Sequence, residues 1–134
     1  TEGPKVKGQV PLISWVQAGT FCTAIDLHQP GIAEDWVDTT VPIKNHTYAL
    51  RVVGDSMEPS FPEGTILIVE PELDPMPGDY VIARNEDHEA TFKQLIKDGS
   101  DWFLKPLNPR YPIKQLKATD EICGVIRSAE QRFR

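Results

Sequence analysis

Short apolar runs separated by turn residues make up most of this sequence. In residues 48–53 (YALRVV), Tyr48, Leu50 and Val52 fall on one face, which is the period of two expected of a half-buried strand. Residues 65–69 (TILIV) are short and mostly β-branched, which predicts a buried strand. Further runs of strand length lie at residues 80–83, 90–96, 102–107 and 121–126.

Proline and glycine interrupt the chain too often for a helical bundle, with 12 and 9 of them in 134 residues. There is no internal repeat and no long amphipathic helix, and residues 32–36 (IAEDW) favour at best one helical turn. Residues 71–79 (PELDPMPGD) are typical of a loop, and residues 85–89 (NEDHE) of a polar hairpin tip. We therefore predict a mainly β domain of about seven short strands with little helix.

The N-terminal part of the chain is polar before it becomes apolar. Residues 1–10 (TEGPKVKGQV) have the composition of a linker. Residues 11–21 (PLISWVQAGTF) are mostly apolar and are broken by the step from Ala18 to Gly19. Because the sequence does not begin with methionine, we expect it to be part of a longer protein, with a folded domain at residues 11–134.

Charge and hydropathy narrow the range of functions. The formal net charge is −6, and the 14 Lys and Arg residues are scattered along the chain. A domain that contacts DNA directly normally carries a basic patch or stripe, so this composition argues against direct nucleic-acid binding. No apolar run approaches the roughly 18 residues needed to span a bilayer, and no signal-peptide pattern occurs. We expect a cytoplasmic protein without membrane contact.

The cysteines and histidines give no sign of a metal site. Cys22 and Cys123 lie far apart and form no CxxC motif, and the three histidines have no zinc-ligand spacing. We expect free thiols in a reducing cytosol, with Cys123 as a small core residue. Neither a metal nor another cofactor is expected.

Ser56 is a candidate nucleophile between a strand and a Glu-Pro turn. A hydroxyl is a poor nucleophile at neutral pH and needs an adjacent base. Taken alone, a serine beside glycine and proline is more often a turn residue. The three histidines, His28, His46 and His88, lie in polar segments, which argues against a Ser-His-Asp triad.

Lys93 is the better candidate for the base. In residues 91–95 (TFKQL), strand alternation places Lys93 on the same face as Thr91 and Leu95. On a solvated edge strand it would be an ordinary surface charge, which is the commoner outcome for a single lysine. In an apolar cleft it would instead lose its proton more readily, as a general base requires. Ser56 and Lys93 are therefore more informative together than alone.

Four strings carry a resemblance to a known family: GDSMEPSFPEG, GDYVIAR, TFKQLI and FLKPLNPRYP. They resemble the C-terminal domains of LexA and of lambda-type phage repressors, the Ser–Lys peptidase family that also includes UmuD. The resemblance covers nearly the whole chain from about residue 11. It implies a LexA-like, signal-peptidase-like β fold in which Ser56 is the nucleophile and Lys93 the general base. Their separation of 37 residues agrees with the family pattern.

The family cuts itself at an Ala-Gly or Cys-Gly bond upstream of the serine. The resemblance therefore implies that Ala18–Gly19 is the scissile bond, within a cleavage loop at about residues 15–22. The small residue types suit this role, since Ala18 can enter a tight apolar pocket and Gly19 lets the backbone turn at the attacked carbonyl. The backbone N–H of Ser56, with that of Asp55 as a second donor, is predicted to form the oxyanion hole.

The resemblance also implies partners. It implies a transcriptional repressor whose DNA-reading helix-turn-helix domain precedes residue 1 and alone contacts operator DNA. The present domain is expected to form a homodimer through residues 102–107 and 121–126, and to cut itself when a RecA filament stimulates it after DNA damage. Two alternatives stay open: a UmuD-like polymerase accessory protein that trims a short N-terminal arm, and a non-catalytic dimerisation module. A membrane signal peptidase also uses Ser–Lys chemistry, but this sequence holds no anchor segment.

Overall fold

The computed structural model describes residues 7–27 and 29–131, and these residues form nine strands and one helix. In chain order the elements are β1 (Gly8–Leu12), α1 (Trp15–Phe21), β2 (Asp35–Thr39), β3 (Tyr48–Arg51), β4 (Ile66–Glu70), β5 (Tyr80–Arg84), β6 (Ala90–Asp98), β7 (Asp101–Lys105), β8 (Lys114–Gln115) and β9 (Glu121–Glu130). The strands form one sheet in the order β2-β1-β3-β4-β9-β5-β6-β7-β8. The predicted mainly β class is therefore confirmed.

The centre of the sheet is covered on both faces. All five residues of β4 are buried, as the run of β-branched residues predicts. The alternation predicted for residues 48–53 holds except at Ala49: Tyr48, Leu50 and Val52 are buried and residues 51 and 53 are exposed, but Ala49 is buried as well. Tyr48 and Leu50 join the main core cluster on one face, whereas Ala49 packs with Ile66 and Ile68 on the other.

Two N-terminal predictions differ from the structure. The linker predicted for residues 1–10 is partly strand, since Gly8–Leu12 pairs with Asp35–Thr39 in antiparallel register; residues 1–6 lie outside the described part. The helical turn predicted for residues 32–36 does not form, because this pairing begins at Asp35. Within β2, Val37 and Thr39 are buried while their neighbours face solvent, so the segment has a true period of two.

Strand β9 joins two halves of the sheet. It pairs with β4 on one side and with β5 on the other, so the C-terminal strand lies between β2-β1-β3-β4 and β5-β6-β7-β8. The connection from β3 to β4 belongs to the first half, and β6 belongs to the second. Ser56 and Lys93 therefore reach each other across the join. No helix within residues 7–27 and 29–131 is long and apolar enough to cross a membrane.

Candidate active site

Ser56 lies in a tight turn that follows β3. Gly54 has a φ of +82°, a conformation that glycine adopts without steric cost. The carbonyl of Asp55 then accepts a hydrogen bond from the N–H of Glu58 at 3.1 Å. Met57 is buried in the main core cluster and fixes the turn from beneath. Ser56 itself stays half-buried and lines a cleft.

Lys93 on β6 points at this serine. Its Nζ donates to Ser56 Oγ at 3.2 Å, to Thr91 Oγ1 at 2.8 Å and to the carbonyl oxygen of Phe92 at 3.1 Å. Lys93 and Thr91 share a face of the strand, as the alternation predicts. The structure thus brings together the two residues that the sequence singles out.

The environment of Lys93 favours its neutral form. Burial lowers the pKa of Lys93 below its ordinary value, and the positive charge of Lys114 lowers the pKa further. Lys114 is paired with Leu104 at the far edge of the sheet, and both residues line the same cleft as Lys93. A lysine with a lowered pKa holds more neutral amine at a given pH, which a proton acceptor requires.

The cleft in front of the pair is large enough for a peptide segment. It has a volume of about 550 Å³ and is lined by residues of both sheet halves, among them Asp55, Ser56, Ala90, Lys93 and Leu104. A second cavity of about 290 Å³ adjoins it and shares Ser56 and Lys93. Apolar and small side chains around the Ser56 hydroxyl suit the binding of an extended chain.

The histidines do not complete a triad with Ser56. His46 contacts Glu72 at 2.9 Å, and His88 lies in the turn between β5 and β6; neither lines the cleft. His28 lies outside the described residues. Within residues 7–27 and 29–131, no group of three or more His, Cys, Asp or Glu side chains could hold a metal ion.

The connection between β7 and β8 also supports the Ser56 turn. The backbone N–H of Asn108 donates to the carbonyl of Ser56 at 3.0 Å, and its side-chain amide donates to the carbonyl of Asp55 at 3.0 Å. The hydroxyl of Tyr111 donates to the carboxylate of Asp55. Sequence reasoning assigned no role to these residues, although the string FLKPLNPRYP that contains them was singled out for the family resemblance.

The segment predicted as a cleavage loop at about residues 15–22 is instead the helix Trp15–Phe21. Ser14 caps it, and the side chains of Ser14 and Gln17 form a capping box. The carbonyl of Ala18 accepts the N–H of Cys22 at 2.9 Å, and Ala18 is fully buried. A serine three residues before a glutamine was the sequence signal for this helix.

Gly19 packs against the hairpin tip rather than into the cleft. A Cβ at Gly19 would overlap the carbonyl oxygen of His88, so only glycine allows this approach. The guanidinium of Arg84 donates to the carbonyls of Gly19 and Thr20 at 2.9 and 3.0 Å. Arg84 is itself paired with Glu121 at 3.0 Å. The residues that line the cleft include neither Ala18 nor Gly19.

The cysteines are not free, contrary to the expectation from sequence. Cys22, at the C-terminal end of α1, forms a disulfide with Cys123 on β9. The two residues are 101 positions apart in sequence, but their Cα atoms lie 4.7 Å apart because α1 packs onto the main core cluster. Sequence distance therefore concealed their proximity, and the absence of a CxxC motif was not informative.

Comparisons with known proteins agree over most of the chain. Residues 11–127 match the family model described as Peptidase S24-like. The chain is 45% identical over 133 residues to an HTH-type transcriptional regulator for conjugative element R391 from Providencia rettgeri, covering 95% of the chain and 62% of the relative. It is 43% identical over 129 residues to Repressor protein C2 of Salmonella phage P22, covering 92% of the chain and 60% of the relative. It is 31% identical over 126 residues to the LexA repressor of Bacillus mycoides, covering 89% of the chain and 59% of the relative.

Proposed function

Because this chain belongs to the Peptidase S24-like family, we propose that it is a serine peptidase domain that cuts its own backbone between Ala18 and Gly19. The observation that carries the proposal is the 3.2 Å separation of Lys93 Nζ and Ser56 Oγ in a cleft of peptide size. This is hydrogen-bond reach for a nucleophile and its base. The scissile bond and the roles of both residues are part of the proposal.

The chemistry follows from these two groups. Neutral Lys93 takes the proton of Ser56 while Oγ attacks the carbonyl carbon of Ala18. The resulting oxyanion accepts hydrogen bonds from backbone N–H groups of the Ser56 turn. Lys93 then returns the proton to the nitrogen of Gly19 as the C–N bond breaks, which leaves Ala18 as an ester on Ser56. Water, with Lys93 again as base, hydrolyses the ester and releases fragments 1–18 and 19–134.

The reaction requires α1 to leave its present position. The carbonyl of Ala18 is engaged in the helix, and Gly19 is held by Arg84 at the hairpin tip. An isolated helix of seven residues is unstable in water, so contacts with the sheet rather than local propensity keep α1 folded. We infer that the uncleaved chain exchanges between this docked helix and an extended form that enters the cleft.

The dependence of self-cleavage on pH tests the base. An unperturbed lysine, with a pKa of about 10.4, is neutral at pH 7 in roughly one molecule in a few thousand. Because the pKa of Lys93 is lowered by burial and by Lys114, the neutral fraction is larger, and it still rises tenfold per pH unit below that pKa. The rate should therefore increase with pH and level off once Lys93 has lost its proton. A rate that shows no rise with pH at any pH where the domain stays folded would exclude Lys93 as the base.

Ser56→Ala and Lys93→Ala should each abolish cleavage, as measured by mass spectrometry of the fragments, while the circular dichroism spectrum stays unchanged. The lowered pKa makes the folded chain bind fewer protons than the unfolded chain, so the free energy of unfolding rises with pH in the window below about 10.5. Lys93→Ala removes this dependence and should not destabilise the domain at pH 7. Cleavage of either variant at the wild-type rate would rule out the pair.

We further propose that the chain is the C-terminal part of a transcriptional repressor. It spans only about 60% of the length of the curated relatives named above, and their names describe repressors and HTH-type regulators. Self-cleavage would separate this domain from a DNA-binding part of the same cytoplasmic protein. A RecA filament remains the expected stimulus by resemblance, and adding activated RecA should raise the cleavage rate at pH 7 if that expectation is right.

A homodimer completes the proposal. Trp102 and Ile122 are only partly buried over a small cluster on the sheet face opposite the main core. They lie in or next to the segments at residues 102–107 and 121–126 that the sequence favours for dimerisation. Apolar surface of this kind suits a second copy of the domain. Sedimentation that shows only monomer at high micromolar concentration would contradict this.

A further inference from the structure

We propose that Asn108 is a positioning residue that orients the Ser56 backbone for attack and for binding of the oxyanion; this rests on the proposed self-cleavage. Asn108 lies in the connection between β7 and β8, on the half of the sheet that carries Lys93. It makes two hydrogen bonds to the turn that carries Ser56, on the other half. The same residue therefore links the nucleophile to the half of the domain that holds its base.

The two hydrogen bonds fix the two peptide groups on either side of Ser56. The side-chain amide of Asn108 holds the carbonyl of Asp55 at 3.0 Å, which fixes the plane of the Asp55–Ser56 peptide. The backbone N–H of Asn108 holds the carbonyl of Ser56 at 3.0 Å, which fixes the next plane. Since a peptide group is planar, restraining both groups restricts the φ and ψ dihedrals of Ser56.

This arrangement sets the direction of the expected oxyanion donor. In a trans peptide the N–H of Ser56 points opposite to the carbonyl of Asp55, and therefore away from Asn108. Among the hydrogen bonds within residues 7–27 and 29–131, none uses the N–H of Ser56. Donation to the Asp55 carbonyl also polarises the peptide, which makes the Ser56 N–H a stronger donor to a developing negative charge.

Asn108 is itself held in place. Its side-chain oxygen accepts the N–H of Arg110 at 3.0 Å, and its carbonyl accepts the N–H of Tyr111 at 3.1 Å. Tyr111 in turn donates from its hydroxyl to the carboxylate of Asp55. The supporting residue and the supported turn thus form one hydrogen-bonded unit, as precise positioning of a nucleophile requires.

The test compares Asn108→Ala and Asn108→Asp with Asn45→Asp. Asn108→Ala removes the amide donor together with the acceptor for Arg110, whereas Asn108→Asp keeps the acceptor and replaces the donor with a carboxylate oxygen. Asn45 is exposed in the connection between β2 and β3, so Asn45→Asp controls for the added charge. Cleavage rates are compared on the high-pH plateau of the rate profile, where Lys93 is fully neutral. A change in the pKa of Lys93 caused by the new carboxylate does not affect the rate there.

Both Asn108 variants should lower the plateau rate about tenfold or more at temperatures where they are fully folded. Asn108→Ala should leave the pH midpoint unchanged, and Asn45→Asp should cleave at the wild-type rate. The proposal would be overturned if Asn108→Asp cleaved at the wild-type plateau rate. It would also be overturned if partial unfolding of the variant, judged from its melting temperature, accounted for the whole loss of rate. Cleavage by Ser56→Ala would refute the proposed function itself, so the two failures are distinguishable.

Discussion

The Ser56 turn and helix α1 are held in different ways. The turn is fixed by neutral hydrogen bonds from Asn108, and its reactive hydroxyl already faces Lys93. The Ala18–Gly19 segment of the helix is held away from the cleft by the guanidinium of Arg84 and by a covalent bond through Cys22. The proposed nucleophile and base are thus within hydrogen-bond distance of each other, whereas the bond they are proposed to cut lies outside the cleft.

This contrast indicates where the proposed self-cleavage would be controlled. If the pair of Ser56 and Lys93 is assembled at all times, then the rate depends on how often α1 undocks and unwinds. The rate is then proportional to the fraction of molecules in the extended form. A contact that stabilises the docked helix lowers this fraction and slows the reaction by the same factor. Changes at the helix should therefore alter the rate without altering the chemistry, and they need not lower it.

The largest effect is expected at Gly19, where the two regions must meet. Gly19→Glu should abolish cleavage, because a carboxylate would have to be buried beside Lys93 and would raise the pKa of that lysine. The same side chain should also release α1, since any Cβ at this position overlaps the carbonyl of His88. We expect no self-cleavage fragments by mass spectrometry, together with faster proteolysis of α1 by added chymotrypsin, which cuts after aromatic residues such as Trp15 and Phe21. Normal self-cleavage of this variant would place the scissile bond elsewhere.

The disulfide should have the next largest effect. Gly19 lies three residues from Cys22, so the Cys22–Cys123 bond confines it to within about 10 Å of the tethered position. A dithiol reductant, which is oxidised to its disulfide as the two cysteines become thiols, should free the segment. We expect self-cleavage to become about tenfold faster or more in the reduced protein, measured at a pH where the oxidised form is slow.

A matched variant separates this effect from general destabilisation. Cys22→Ser should cleave at the reduced wild-type rate and should not respond to the reductant. Because the disulfide closes a loop of about 100 residues, its loss costs roughly 2–5 kcal/mol of stability, so both forms are compared well below their melting temperatures. Equal rates in oxidant and reductant would show that undocking of α1 is not restrained by this bond.

Arg84→Gln should have the smallest of the three effects. It removes the charged donor to the carbonyls of Gly19 and Thr20, and such hydrogen bonds are worth about 1.5–3 kcal/mol before discounting for solvent. We expect cleavage to become several-fold faster by the same factor at each pH. Arg127→Gln, an exposed change of the same charge on β9, should leave the rate unaltered. A slower Arg84→Gln variant would mean that this arginine acts in the cleft rather than on the helix.

The sequence predicts the elements of the central sheet well, for physical reasons. Residues 65–69, 80–83 and 90–96 are apolar, β-branched or alternating, and the corresponding strands β4, β5 and β6 form within a residue or two of these bounds. The hairpin tip at residues 85–89 also forms, between Arg84 and Ala90. Local composition was sufficient where burial and strand propensity favoured the same structure.

The remaining differences depend on contacts between distant residues. Strand β2 forms because residues 8–12 pair with it, and the local sequence of residues 32–36 does not indicate this pairing. The disulfide joins residues 101 positions apart, and the contacts of Asn108 join it to a turn more than 50 positions away. The helix at residues 15–21 is the exception, since its capping box could be read locally.

The central position of β9 links the chemistry to the timing of protein synthesis. The ribosome makes the chain from its N-terminus, so the strand that joins the two halves of the sheet emerges after the other eight described strands. A growing chain that ends before residue 121 already contains Ser56, Lys93 and the Ala18–Gly19 bond, but lacks the strand that pairs β4 with β5. It also lacks Cys123, the partner of Cys22. A nascent chain is therefore expected to remain intact until β9 has been translated.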